Sequence, residues 1–310
     1  MEAAAICREQ GCDFIIGLGG GSTIDSAKAI AVMACNDGDF WNYVTGGSGK
    51  GRPVTKALPI IAIPTTAGTG TEADPWAVIT NEEKQEKIGF GCSLTFPALS
   101  IIDPELMISI PPHLTAYQGF DAFFHAAEGF IANCATPISD LYALEAIRLL
   151  YKYLPVAVND GKNLKARAKV AWASTLAGLV EATSSCTSEH SMEHAMSAYY
   201  PQLPHGAGLI ALSEAYFETF RNDCMKRYMK MADVMTQQKS NRPSDFIDAL
   251  ARMKKECHVD NIKLSEWGLK EEDLPKMVQN ARDTMGGLFT LDPRPLTDDE
   301  VLNIYRQSYK

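Results

Sequence analysis

The chain has 310 residues, of which 46% are hydrophobic and 22% are charged, a composition typical of a globular protein with about two domains. Its net charge is −9 with no basic tract, so we expect no nucleic-acid or anionic-membrane partner. No apolar run reaches the ~20 residues of a membrane helix, and the N-terminus lacks the basic region and cleavage site of a secretory signal. The eight cysteines include no C-x-x-C pair, which predicts reduced thiols and a cytoplasmic protein.

The first third of the chain predicts alternating helices and strands. A helix is expected over Glu2–Gln10, with Gly11 as its C-cap. Strands are expected over Phe14–Ile16, from about Leu58 to Ile63, and within the segment ALSIIDPEL. Buried apolar runs that alternate with helices indicate a parallel sheet covered on both faces.

The remainder of the chain has a different periodicity. From about Ser109 onward, apolar residues recur at intervals of three and four, and no strand is predicted. We therefore expect an α/β nucleotide-binding domain with a truncated parallel sheet over residues 1–108. An all-helical domain that binds a metal is expected over residues 109–310.

A glycine loop, GLGGGSTIDSAK at residues 17–28, follows the first predicted strand and precedes a helix. Glycines let the backbone approach a pyrophosphate, and a helix N-terminus offers free N–H groups and the positive end of the dipole. Ser22 is predicted as the N-cap, with Asp25 in capping-box register. The spacing is not G-x-G-x-x-G, but three consecutive glycines favour phosphate binding over a simple tight turn.

A threonine loop, PTTAGTGTE at residues 64–72, follows the second predicted strand. In open α/β sheets, ligands bind at the carboxyl ends of the strands. The hydroxyl and amide groups of Thr65, Thr66, Thr69 and Thr71 suit a ribose and a nicotinamide. The alternative is a threonine-rich turn that satisfies its own backbone.

The histidines predict a metal site. Asp121 and His125 lie four residues apart in GFDAFFHAAEGF, on one face of an apolar helix, where a carboxylate is costly unless it is paired or holds a metal. His190 and His194 form a second such pair, and His205 lies in a Pro-His-Gly turn. Imidazoles with one carboxylate favour iron(II) or zinc. Spacing does not decide between His190 and His194 as ligand, and core histidines bonded to the backbone are the alternative.

These motifs together resemble the iron-containing (group III metal-dependent) alcohol dehydrogenase family over nearly the whole chain. The resemblance is carried by GGGSTIDSAK, PTTAGTGTE, IIDPEL, GFDAFFHAAEGF and HSMEHAMSAYYPQLPHG. It implies that Fe²⁺, with Zn²⁺ as the alternative, is held by Asp121, His125, His190 and His205, and that His194 lies beside nicotinamide and substrate. It also implies contact with NAD or NADP for Gly20, Gly21, Ser22, Thr65, Thr66, Lys87 and Leu106.

The implied activity is reversible hydride transfer between a nicotinamide and a small primary alcohol, diol or aldehyde. The metal would act as a Lewis acid, and His194 would relay the alcohol proton. One alternative is a lyase-type relative similar to dehydroquinate synthase. That enzyme class needs cationic side chains for a phosphate-bearing substrate, and none occurs in residues 121–133 or 188–206.

Two departures from the family pattern lead to further expectations. Members usually carry threonine where this chain has Asp74, and an acid there is expected to weaken or reorient NAD binding. Members also have a segment ahead of the glycine loop, absent here, that supplies the first strands and the acid selecting NAD over NADP. A cofactor-deficient, inactive fragment that still holds metal is therefore the second alternative. An uncovered sheet edge predicts a homodimer or higher homo-oligomer.

Overall fold

A computed structural model describes residues 1–309 and has an α/β part followed by a helical part. Its strands are β1 (Ile15–Gly19), β2 (Ile60–Pro64), β3 (Ala77–Asn81), β4 (Glu86–Phe90) and β5 (Leu99–Ser100). Its α-helices are α1 (Glu2–Gln10), α2 (Gly21–Met33), α3 (Pro112–Ile131), α4 (Pro137–Asn159), α5 (Leu164–Thr183), α6 (Ser188–Tyr199), α7 (His205–Thr219), α8 (Met225–Thr236), α9 (Ser244–Glu256), α10 (Leu274–Met285) and α11 (Asp298–Tyr309).

The parallel sheet has the strand order β1-β2-β5, with Ile15 opposite Ile60 and Ile61 opposite Leu99. α2 packs against β1 and β2 and covers one face. The other face carries Ile16, Leu18 and Leu99, which are 54%, 57% and 51% exposed. The expected parallel sheet is therefore confirmed, whereas its expected coverage on both faces is wrong for residues 1–309.

The first helix and its cap are confirmed. α1 spans Glu2–Gln10, and Gly11 adopts a left-handed conformation with φ 66°. The strand boundaries were less accurate: β1 continues into the glycine loop as far as Gly19, and β5 comprises only Leu99–Ser100 of the predicted third strand.

The predicted N-cap of α2 is wrong. Gly20 occupies that position without any side-chain cap, and the helix begins at Gly21. The Asp25 carboxylate does not reach back to the helix start, because it accepts hydrogen bonds from Thr71 Oγ1 at 2.8 Å and Val78 N at 2.9 Å. The first N–H groups of α2 are therefore left open toward the cleft described below.

An antiparallel hairpin of β3 and β4, with Thr80 opposite Lys87, was not predicted. β3 packs against α2, while β4 packs against α6 and α10. The hairpin therefore lies between the α/β half and the helical half and contacts both.

The helical half contains no strand within residues 101–309, as predicted. Its core is one large cluster around α3, α4 and α5, separate from a smaller cluster between α2 and the hairpin that includes Phe40 and Phe90. The boundary at residue 108 stays a prediction. None of the helices within residues 1–309 combines the length and apolarity that a bilayer crossing requires.

Candidate active site

Four side chains of types that bind metals converge from three helices. Asp121 and His125 lie one turn apart on α3, His190 lies on α6, and His205 is the first residue of α7. Asp121 Oδ1 lies 3.4 Å from His125 Nε2, 3.5 Å from His190 Nε2 and 3.4 Å from His205 Nε2. One carboxylate oxygen thus neighbours three ring nitrogens. We name these four residues the donor cluster.

The donor cluster fits a divalent metal ion. Atoms bound at about 2.0–2.1 Å in a tetrahedron lie about 3.4 Å from one another. The observed 3.4–3.5 Å separations are longer than ordinary hydrogen bonds. Asp121 Oδ1 and His190 Nε2 are also buried without a hydrogen-bond partner among the described residues, which is costly unless a ligand satisfies them. Three nitrogens and one oxygen suit iron(II) or zinc.

Two buried glutamates orient the donor histidines from behind. His190 Nδ1 contacts Glu128 Oε1, and the other Glu128 oxygen accepts from Thr187 N at 2.8 Å. His205 Nδ1 contacts Glu193 Oε2, which also lies 3.2 Å from Lys87 Nζ. A carboxylate on the far nitrogen fixes the tautomer and orientation of a metal-binding imidazole. Both glutamates were missed from sequence, although each lies three residues after a donor histidine.

Burial and neighbouring groups set the ionisation of the cluster. Burial opposes ionisation of Asp121, but the imidazoles of His125 and His205 hold its pKa well below the ordinary value. Burial lowers the pKa of His125 to about 4. Burial, assisted by the Lys87 charge, also lowers the pKa of His194 well below its ordinary range. Burial opposes protonation of His190 and His205, but neighbouring acidic groups raise the pKa of both. Metal binding at Nε2 would therefore displace a proton from these two rings.

His194 lies beside the donor cluster rather than within it. Its ring centroid is 5.2 Å from that of His205 and 6.4 Å from that of His190. Its Nδ1 lies 2.8 Å from Met285 Sδ. The structure thus puts His190, rather than His194, beside the Asp121 carboxylate, a choice that spacing had left open.

One cleft joins the donor cluster to the two loops at the sheet edge. The donor cluster and His194 line it. Parts of the glycine loop, the threonine loop and the hairpin also line it, namely Gly21, Ser22, Thr69, Thr71, Thr80 and Lys87. A ligand bound along the cleft would therefore contact the α/β half and the helical half together.

The glycine and threonine loops approach each other closely. A Cβ atom on Gly21 would lie 2.5 Å from Thr69 Cγ2, so only glycine fits there without a shift. Thr65 N donates to Gly19 O at 2.8 Å. Because no side chain caps α2, its first N–H groups and its dipole remain available to an anion, which fits the pyrophosphate of a dinucleotide.

The predicted cofactor residues are only partly brought to the cleft. Gly21, Ser22 and Lys87 line it. Gly20, Thr65 and Thr66 belong to the same two loops but are not among its lining residues, and a Cβ atom on Gly20 would lie 3.2 Å from Thr66 Cγ2. Leu106 lies in the short turn Pro104–Met107, is 40% exposed, and is not brought to the cleft.

A buried ion pair lies under the threonine loop. Lys28 Nζ donates to Asp74 Oδ1 at 3.1 Å and to Thr71 Oγ1 at 2.6 Å, and Asp74 Oδ1 also accepts from Trp76 N at 2.7 Å. Burial raises the pKa of Asp74 to about 7, against the opposing charge of Lys28. The acid that departs from the family pattern is therefore directed at a lysine of α2. Its expected effect on NAD binding stays a prediction.

The cleft wall near the donor cluster carries groups that sequence reasoning missed. Glu181 Oε1 lies 3.4 Å from His125 Nε2 and accepts from Cys186 Sγ at 2.9 Å. Trp76 and Leu288 add apolar surface. The position of Cys186 four residues before His190 was the one available signal, since Glu181 lies on the separate helix α5.

Comparisons with known proteins agree with these features. The family model for iron-containing alcohol dehydrogenase matches residues 1–104, and that for the C-terminal part of the Fe-containing alcohol dehydrogenase family matches residues 115–309. Alcohol dehydrogenase 4 of Schizosaccharomyces pombe is 33% identical over 310 residues, covering 99% of this chain and 71% of the yeast protein. The 1,3-propanediol dehydrogenase of Klebsiella pneumoniae is 33% identical over 315 residues, covering 99% and 79%.

A solved structure is also similar. The crystal structure of an archaeal halo-thermophilic alcohol dehydrogenase from a Red Sea brine pool superimposes with a TM-score of 0.94 at 37% identity. The match covers 99% of this chain and 80% of the archaeal one.

Proposed function

This chain belongs to the iron-containing alcohol dehydrogenase family, and on that premise we propose that it transfers a hydride reversibly between a nicotinamide cofactor and a small primary alcohol or aldehyde. One observation carries the proposal: three histidine nitrogens lie 3.4–3.5 Å from Asp121 Oδ1, in a cleft that the glycine and threonine loops also line. The open N-terminus of α2 lies along the same cleft.

Asp121, His125, His190 and His205 would hold the divalent metal, with iron(II) proposed and zinc as the alternative. When bound, the ion supplies Lewis acidity toward the substrate oxygen and the nicotinamide supplies or accepts the hydride. His194 would take up the alcohol proton at Nε2, because its Nδ1 faces Met285 Sδ at 2.8 Å. Glu128 and Glu193 would accept the protons of the far nitrogens of His190 and His205 and so hold the rings in place.

The α/β half would position the dinucleotide. The first N–H groups of α2, at Gly21 and Ser22, would bind the pyrophosphate. Lys87 on β4 would contact the nicotinamide end, close to the donor cluster. Gly20, Thr65, Thr66 and Leu106 are proposed as further contacts on the family resemblance alone. NAD and NADP both remain candidates.

We also propose that the chain assembles into a homodimer or higher oligomer. The sheet face with Ile16, Leu18 and Leu99 exposes contiguous apolar surface, which single soluble chains rarely leave open. Size-exclusion chromatography with light scattering tests this directly, and a monomer at every concentration would contradict it.

NADH titration into anaerobically iron-loaded protein tests the proposed function. Trp76 lines the cleft and is 40% exposed, so its emission reports on a nicotinamide bound there through energy transfer. We expect saturable quenching, loss of the Trp76 contribution in a Trp76→Phe variant, and NADH oxidation with small aldehydes. If protein confirmed as folded and metal-bound gave no quenching, the cofactor-deficient alternative would replace the dehydrogenase.

A further inference from the structure

Glu193 lies where the two ligand sites meet. Its side chain is fully buried on α6, and its Oε2 is shared between His205 Nδ1 and Lys87 Nζ, the latter at 3.2 Å. Its Oε1 has no hydrogen-bond partner in the part of the chain that the structure describes. A single carboxylate oxygen therefore joins a donor-cluster histidine to a cation that the hairpin carries.

Lys87 reaches this oxygen from the hairpin rather than from the helical half. Its Nζ lies 2.8 Å from Ser197 Oγ and 3.3 Å from His205 Nδ1, and its side chain is only 15% exposed. The hairpin that carries it packs against α2, whose N-terminus faces the cleft. A shift of the Lys87 side chain would therefore affect both the donor cluster and the two loops.

We infer that Glu193 couples the two binding events, so that metal binding strengthens NADH binding and NADH binding strengthens metal binding. The inference rests on the proposed function, since both ligands must bind in this cleft. It assigns Glu193 as a positioning residue whose effect reaches the cofactor through Lys87. No contact between Glu193 and either ligand is required.

The physical reason is that each ligand fixes one of the two groups that share Glu193 Oε2: the metal fixes His205, and NADH fixes Lys87. A histidine that binds metal through Nε2 must carry its proton on Nδ1, and that proton is donated to Glu193. The carboxylate is then fixed as the acceptor for Lys87. Without the metal, His205 can change tautomer or rotate, and Lys87 loses a fixed partner. Ordering achieved by the first ligand need not be repeated by the second, which gives positive coupling.

Glu128 provides a matched control within the same site. It is also fully buried, and it also contacts the far nitrogen of a donor histidine, His190. Its other oxygen, however, accepts from Thr187 N at 2.8 Å and Thr187 Oγ1 at 2.9 Å, both in the helical half. Glu128 therefore supports the donor cluster without contacting any residue that the hairpin carries.

The test is the dissociation constant of NADH with and without saturating Zn²⁺, measured by tryptophan quenching in wild type, Glu193→Gln and Glu128→Gln. We expect Zn²⁺ to tighten NADH binding about tenfold in wild type, within the usual range of coupling. This factor, the ratio of the NADH dissociation constants without and with Zn²⁺, should fall close to one in Glu193→Gln. It should stay near the wild-type value in Glu128→Gln, although both variants bind Zn²⁺ more weakly. Reciprocity requires the same factor when the Zn²⁺ affinity is measured by chelator competition with and without NADH.

A second variant guards against misfolding of Glu193→Gln. Lys87→Met removes the other end of the bridge from a partly accessible side chain, and it should also lose the coupling, with no further loss in the double variant. A wild-type factor of one, or coupling that survives in both Glu193→Gln and Lys87→Met, would overturn the inference, as would its loss in Glu128→Gln. Wild type that binds no NADH or no Zn²⁺ would instead overturn the proposed function, and the coupling with it.

Discussion

In the helical half, the groups that face the cleft include the carboxylate and imidazoles of helix residues, whereas in the α/β half they include backbone amides and hydroxyls of two loops. The donor cluster depends on which atoms its side chains present, and on the glutamates behind them. The glycine loop depends on the absence of a side chain where Gly21 meets Thr69. Substitutions in the donor cluster should therefore act by removing an atom that binds the metal. Substitutions in the glycine loop should act by filling the space between Gly21 and Thr69.

The largest effect is expected from Asp121→Asn, which tests the donor cluster of the helical half. The variant replaces the oxygen that neighbours three histidine nitrogens, so we expect metal binding to be lost within the range that a chelator competition can measure. Asp140→Asn is the matched control, because that carboxylate pairs with Arg227 at 2.7 Å on the surface. Metal binding by Asp121→Asn at wild-type affinity would remove Asp121 from the ligand set.

The next largest effect concerns stability, and it compares one buried lysine from each half. Lys28→Met removes the counter-charge of the buried Asp74, which must then stay ionised without a partner or take up a proton, so we expect a loss of about 3–5 kcal/mol in the free energy of unfolding. Lys254→Met should cost only about 1 kcal/mol, because its partner Glu214 is 48% exposed and returns to water. Urea denaturation measures both. Equal losses would mean that burial of the partner carboxylate is not what matters.

A smaller effect is expected from Gly21→Val, which tests the α/β half. The added side chain would collide with Thr69, displacing the loop and the first N–H groups of α2. We expect NADH affinity to fall about tenfold, equivalent to about 1.4 kcal/mol, with zinc affinity in the absence of NADH unchanged. Gly287→Ala is the control, because a Cβ atom there meets nothing within 4 Å. Equal NADH affinity in the two variants would contradict the close approach of the loops.

The smallest effect comes from an ion pair outside both sites. Hydrogen bonds from Arg294 and Thr297 lower the pKa of Glu300 to about 2. In the unfolded chain the pKa is about 4.3, so the stabilisation is complete above that pH and is lost as pH falls through about 2. At neutral pH, Glu300→Gln should cost less than about 1 kcal/mol, because the side chain is 35% exposed. Urea denaturation at decreasing pH should show this difference shrinking, and a constant difference would contradict the pKa shift.

The sequence predicted local structure well where a residue type strongly favours one conformation or position. Gly11 was identified as a C-cap because its left-handed conformation suits glycine. The pairing of Asp121 with His125 followed from helical spacing alone. Ser22 was wrongly predicted as the N-cap because the sequence does not show where the Asp25 side chain lies once α2 is packed. Its position depends on hydrogen bonds from Thr71 and Val78, which belong to distant segments.

The remaining features depend on contacts between distant parts of the chain. The segment AVITNEEKQEKIGF was not predicted as a hairpin, because its middle, residues 82–85, is a charged turn and each strand has only five residues. Glu128 and Glu193 are ordinary helix residues in the sequence, and only the folded chain brings them to the far nitrogens of His190 and His205. Lys87 was named through the family resemblance, but its contact with Glu193 was not foreseen.

The hairpin between the halves also constrains how the chain can misfold. Glu86 and Lys87 point to opposite faces: Glu86 accepts from Ser48 N at 2.8 Å and Trp41 Nε1 at 2.9 Å, while Lys87 faces Glu193. A slip of one residue in the pairing of β3 with β4 would exchange the two faces and place a carboxylate against a buried carboxylate. In a mispaired hairpin the Glu86 and Glu193 carboxylates would thus repel each other, so the alternation of charge along β4 favours the native strand register during folding.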